Sequence, residues 1–193
     1  MKTVYFSFIV CIACFLISPA IMGQDSANME EQQQKAWMEY MTPGKAHEMM
    51  AKNIGEWKTE TRFWMGEEEP TVSEGKSVNE MILGGRYLQS KYSGTAWGMQ
   101  VEGMMLMGYD NITNEYTSIW IDNLGTGTAV AKGKMDEAAN TINWNGTMVE
   151  PSTKQEMKYK EMTKFIDDNH YTTEMFIEQD GKEVKIMEIN FSR

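Results

Sequence analysis

Five carboxylates lie in strand-like stretches of this chain: Glu102, Asp122, Glu161, Glu174 and Glu188. A carboxyl group facing an apolar cavity keeps its proton to higher pH, which fits it for acid–base chemistry. Strand carboxylates usually face water, so a buried and unpaired one would be the mark of an enzyme. Met104, Met105 and Met107 form the tightest thioether group, a soft ligand type for Cu(I). They alternate between the two faces of one strand, with no His or Cys among them to complete a copper site, and read as core filling. Other catalytic patterns are missing. There is no Gly-x-Ser-x-Gly elbow and no His-Glu-x-x-His, and no helix follows the glycines of 84–85 or 125–127 to hold a phosphate. No catalytic residue, metal or cofactor is expected.

Binding is the chemistry that the residue types favour. In "VEGMMLMGYDNITNEYTSIWID", residues 101 to 122, a polar turn at 111–114 separates two alternating runs. Met105, Met107 and Tyr109 share one face of the first run; Tyr116, Trp120 and Asp122 share one face of the second. Turned inward, they form an aromatic and thioether wall with a polar tip, the usual make-up of a small-molecule pocket. Turned outward, they would form a sticky patch out of keeping with so acidic a surface. Arg86 follows Gly84-Gly85, which is expected to aim its cation inward, and Asp122 is expected to find Arg86, a tyrosine hydroxyl or ordered water. The expected ligand-binding set is thus Arg86, Met105, Met107, Tyr109, Tyr116, Trp120 and Asp122.

The elements that must position this set are strands. Residues 45 to 54, "KAHEMMAKNI", place Ala46, Met49, Met50 and Ile54 on one side at helical spacing, between Pro43 at the start and Gly55 at the exit. After Gly55 the period changes from 3.6 to 2, and turn signals recur every eight to fifteen residues to the end. About ten strand-like runs result. No helix of length lies between them, so the sheet must be an antiparallel meander. Such a meander closes most easily into an up-and-down barrel, with a sandwich as second choice. The fold class is therefore all-β, with a short N-terminal helix. In a closed meander the first and last strands are neighbours, so Trp57 and Arg193 are expected to meet at barrel closure, guanidinium on indole.

A Gly-x-Trp on the first strand with an Arg on the last resembles the lipocalin and calycin superfamily. More closely, several stretches resemble domain-of-unknown-function family 1579, a group of small bacterial proteins. They are Pro43 to His47, Gly55-Glu56-Trp57, Leu83 to Leu88, Glu102-Gly103 with Gly108-Tyr109-Asp110, Trp120-Ile121-Asp122, and Met187 to Arg193. The resemblance covers roughly residues 43 to 193 and implies a calycin-like barrel; it carries no activity. The superfamily includes nitrobindin-like barrels that bind haem through a histidine. Here the histidines are His47, on the entry helix, and His170, in the "DDNHY" turn, and neither is placed to line a cavity. Haem is not expected.

Composition sets the compartment and the partners. Residues 1 to 23 read as a signal peptide: Lys2, an apolar run from Val4 to Ile17, then small residues up to Gly23. Residues 24 to 42 read as a polar extension, helical in part, and 43 to 193 as the barrel domain. Both cysteines, Cys11 and Cys14, lie in the apolar run, so cleavage near Gly23 leaves neither disulfide nor thiol nucleophile. The mature chain then carries 17 of the 18 basic residues against 28 acidic ones, which argues against nucleic acid and anionic lipid as partners. The expected protein is periplasmic or extracellular, does not span a membrane, and binds a small apolar or amphipathic molecule without catalysis. Its rivals are a cavity enzyme using strand carboxylates, as an isomerase or hydrolase, and a barrel filled by its own side chains. Eight strands leave a barrel just wide enough to fill; ten leave more room.

Overall fold

The computed structural model describes residues 25–64, 66 and 69–193, with the side chains of 25–27 left aside; the proposed signal peptide lies outside them. The described residues fall into two compact units, the first ending at Met38 and the second spanning Glu39–Arg193. In the first, α1 (Asp25–Met41) begins; its Glu, Gln, Ala and Met content suits a helix over its whole 17 residues, where the sequence suggested one only in part. Among the described residues no helix is long and apolar enough to cross a membrane.

The second unit is a closed barrel of ten antiparallel strands in the order β1-β10-β9-β8-β7-β6-β5-β4-β3-β2. The strands are β1 (Gly55–Phe63), β2 (Thr71–Ile82), β3 (Tyr87–Ala96), β4 (Met99–Asp110), β5 (Glu115–Asp122), β6 (Ala129–Asp136), β7 (Thr141–Glu150), β8 (Gln155–Asp167), β9 (His170–Gln179) and β10 (Lys182–Ser192). Each pairs with its sequence neighbour, and β1 closes the circle on β10 with Thr59 opposite Phe191 and Thr61 opposite Ile189. No edge is left open, which rules out the sandwich.

The seven-residue α2 (Lys45–Ala51) stops one end of the barrel. Its start is held by the side chain of His47, whose Nδ1 accepts the Gly44 N–H at 3.0 Å. Met50, fully buried, enters a core with Leu88, Met107, Tyr116, Ile142 and Trp144. The same end carries the strand closure. Trp57 is 2% exposed, its indole N–H donates to Asn53 O at 2.9 Å, and the Arg193 guanidinium lies 4.3 Å from the ring centroid. Arg193 also donates to Ile54 O at 2.7 Å and to Asp168 O, so it ties the helix exit, β1 and the β8–β9 turn together. Gly55 has φ +118°, and a Cβ there would stand 3.6 Å from that guanidinium. The backbone angle calls for glycine, while a Cβ at that distance would be in ordinary contact.

Candidate functional site: the barrel lumen

Register decides which side chains face inward. Met105 pairs with Trp120, Met107 with Ser118, Tyr109 with Tyr116 and Gly103 with Asp122, with no bulge in this hairpin. All six expected hairpin residues therefore share the inner face. They do not share one environment. Met107 and Tyr116 are buried under α2, where the Tyr116 hydroxyl lies 3.9 Å from the Met49 sulfur and the ring 4.7 Å from that of Tyr109. Tyr109 in turn meets His47 edge-on at 5.9 Å. Burial, with the Arg86 charge second, holds the His47 imidazole below its ordinary range. These residues stop the barrel. Met105, Trp120 and Asp122, nearer the other end, remain half-buried on its inner side.

Arg86 departs from expectation. It lies in the β2–β3 turn and is exposed, donating to Leu83 O and Gly84 O at 3.3 Å and to Met41 O at 2.6 Å. Gly84 and Gly85, at φ +68° and +79°, do make the sharp turn. But Asp122 ends β5 at the opposite mouth, roughly 25 Å away at strand rise. Asp122 is satisfied locally, accepting from the Trp120 indole at 2.7 Å, from Leu124 N at 2.9 Å and from Gly125 N at 3.2 Å. Carbonyls at the surface solvate Arg86 more cheaply than burial would.

Of the five strand carboxylates, Glu102, Glu174 and Glu188 sit on the outer parity. Lys185 Nζ bonds Glu174 at 3.0 Å and Glu188 at 2.6 Å, and Arg62 bonds Glu188 at 2.9 Å. Glu161 faces inward, between Trp144 of β7 and Met175 of β9. Burial pushes its carboxyl up to about 7; among the described residues no cation or donor offsets it. His170 opens β9 rather than lying in the turn before it; it is exposed and bonds Asp167 at 2.9 Å. Among the described residues no cluster of three His, Cys, Asp or Glu could hold a metal.

Two features of the lumen went unread in the sequence. Glycines occupy inward positions beside large rings. A Cβ at Gly103 would stand 2.4 Å from Trp120, at Gly133 2.5 Å from Trp144, at Gly146 2.1 Å from Tyr159 and at Gly94 2.3 Å from the Tyr92 hydroxyl. Each ring therefore lies flat along the wall rather than reaching for the axis. Several inward side chains away from α2, among them Tyr92, Met105, Trp120, Glu161, Met175 and Ile189, stay only half-buried, so the barrel encloses open space. Glycine within a strand run was the available signal, since it marks close approach.

The second feature is a polar wall on β1–β3, with Thr59, Thr61, Ser73, Ser77, Asn79 and Ser90 all inward. Some are paired, as Ser77 Oγ is to Asn79 Oδ1 at 2.7 Å. Thr59 Oγ1, Ser73 Oγ and Ser90 Oγ are buried with no partner among the described residues. On the outer side, the larger of two shallow grooves, about 810 Å³, runs across β6–β10 among lysines and gathers none of these groups.

The family described as "Protein of unknown function (DUF1579)" matches residues 42–193. Among solved structures, the chain is similar to Rv2717c from M. tuberculosis, at 12% identity and TM-score 0.58, over 79% of this chain and 99% of that one. It is also similar to the S-type phycobiliprotein lyase CPES from Guillardia theta, at 10% identity and TM-score 0.51, over 81% and 95%. At such identities the likeness is one of fold. No curated protein matches the sequence.

Proposed function

The chain belongs to the DUF1579 family, and we propose that it is an exported barrel that binds a small amphipathic molecule in its lumen. The observation that carries this reading is the trio of buried, inward hydroxyls, Thr59, Ser73 and Ser90, without a partner. A buried polar group left unpaired costs about 1–3 kcal/mol, so three along one wall call for a partner, ordered water or the polar group of a ligand. Beside them the half-buried Met105 and Trp120, with Met175 further round the barrel, supply the apolar surface for a ligand body. Met105, Trp120 and Asp122 are the residues of the expected set that remain in the proposed site. A fatty alcohol should quench or shift tryptophan emission saturably, and Thr59→Val with Ser90→Ala should weaken it severalfold without loss of stability. If no hydrophobic probe saturates, the barrel is a filled or structural one.

Glu161 favours a second reading. A carboxyl near 7 is placed for general acid–base work, as the enzyme alternative required. That reading expects turnover of the bound molecule, abolished by Glu161→Gln with binding retained. Native mass spectrometry of protein from its own host, comparing bound species in the two variants, separates catalyst from carrier.

A further inference from the structure

Among the described residues, the lumen holds one carboxyl that no cation or donor answers. Below the rim, the inward positions of the ten strands include no Lys, Arg or His. Lys182, on the inner parity, sits at the mouth and is exposed. Two other inward acids are tied up by turns near that mouth. Asp122 accepts two backbone N–H groups, and Glu150 accepts from Ser152 Oγ and Thr153 N at 2.6 Å each. Glu161 has no such tether. It is bracketed by flat rings: Trp144 lies directly opposite in register, and Tyr159 is two residues away on the same face. Five strands round the barrel, on the opposite wall, stands β3, carrying the unpartnered Ser90, 6% exposed, with Thr59, 3% exposed, on nearby β1.

Resting on the binding reading above, we propose that the ligand class is a cationic amphiphile, an apolar body with one protonated amine, whose nitrogen pairs with Glu161. The chemistry favours it on three counts. A carboxylate in a low-dielectric site is stabilised most by a cation brought to it, and the protein brings none. Trp144 and Tyr159, 2% and 6% exposed, wall the carboxylate with buried apolar surface and keep its surroundings low in dielectric, which strengthens such a pairing. An anionic amphiphile such as a fatty acid would meet only like charge in the lumen, with acids at its mouth as well. The hydroxyls opposite leave room for a second, neutral polar group at the far side of the ligand.

The site is also pH-sensitive in a defined direction. The groups beside Glu161 are Trp144 from β7, Met175 from β9, and Tyr159 and Thr163 on its own strand. Of these only Tyr159 titrates, and it is pushed up to about 12 by burial and then by Glu161 itself. Between pH 6 and 8 Glu161 is therefore the group that changes. An alkylamine, with a pKa of ~10 like lysine, stays charged throughout.

The test compares dodecylamine, dodecanol and dodecanoate, below micelle formation, by tryptophan fluorescence on the full-length mature protein. At pH 8 dodecylamine should bind at least tenfold more tightly than dodecanol. Glu161→Gln should bring the amine to the level of the alcohol while leaving the alcohol within about twofold. In the wild type, lowering the pH from 8 to 6 should weaken the amine about tenfold and leave the alcohol unchanged. That arm needs no variant. If the alcohol or the acid binds as tightly as the amine, or if the Gln variant keeps the preference, the amine assignment falls and the binding reading stands. If none of the three saturates, both fall together.

Discussion

Glu161 makes the unliganded barrel least stable where the carboxyl is ionised, and the size of that effect follows from its surroundings. In the unfolded chain the group titrates near 4.5; in the barrel burial raises it to about 7. An acid whose folded value is raised stabilises fully below the unfolded value, and the contribution is lost as pH rises through 7. Complete ionisation in the fold then costs about 3 kcal/mol. The side chain is half-buried and reaches lumen water, which screens part of the charge, so about 1–3 kcal/mol is the working range. Glu161→Gln removes the charge and keeps the shape. Its stability relative to wild type, from urea denaturation, should rise between pH 5 and pH 9 by that amount. Thermal midpoints should part by about 2–4 °C per kcal/mol. Reading the difference between the two proteins cancels the other titrating groups, such as Glu188, which its partners hold low. A difference independent of pH, or a variant less stable at pH 9, would refute the claim that the carboxyl is buried and unpaired.

Three further outcomes are expected. Trp57→Ala should cost about 3–5 kcal/mol, as truncation of a buried aromatic, and a loss below about 1 kcal/mol in urea denaturation would show that the closure is not where stability resides. Gly146→Ala should force the Tyr159 ring off the wall and into the lumen. It should cost about 1–3 kcal/mol and also lower probe affinity, a coupling that fluorescence titration at equal folded fraction checks. The exported protein should begin between Ile21 and Gln24 and carry no lipid, because small residues follow the apolar run and no polar tether follows Cys14. Intact mass decides it, and a diacylated chain beginning at Cys14 would be the contrary result.

Period-two alternation carried most of what could be read in advance. It placed Trp57, Thr59, Thr61 and Phe63 on one face, and it gave the parity of the 101–122 hairpin, which no bulge disturbs. It could not tell a stopped end from an open one. Met107, Tyr109 and Tyr116 are taken up by α2 because Met49 and Met50 reach them, and no local pattern says where a seven-residue helix will rest. Arg86 was misread for a related reason: the turn is right, but strand length separates it from Asp122. Glu161 is one of the five strand carboxylates named from the sequence, and its inward parity is legible there too. In "QEMKYKEMTKF" the lysines at 158, 160 and 164 mark the outer column, which leaves Glu161 in the inner one with Met157, Tyr159 and Phe165.

The choice between an open and a filled barrel turns on how these inner residues violate ordinary core rules together. A filled barrel would send its rings toward the axis and have no use for glycine beside them. Here Gly94, Gly103, Gly133 and Gly146 each make room for a ring to lie back. Strand glycines weaken a sheet, so four of them at inward positions act against stability unless the space they free is used. The unpartnered hydroxyls of Thr59, Ser73 and Ser90 act against it too, as does a carboxyl without a cation. These glycines, the hydroxyls and the carboxyl fall on the inner surface of one barrel; outside, Gly108 also lies close to the ring of Tyr87, but the carboxylates Glu174 and Glu188 are paired with Lys185 and Arg62. Sequences that obey packing and pairing elsewhere and break them at one place mark that place as functional. A ligand with an apolar body and a charged nitrogen answers the freed space and the carboxyl, and a second, neutral polar group on it answers the hydroxyls, whereas water alone would answer only the polar groups.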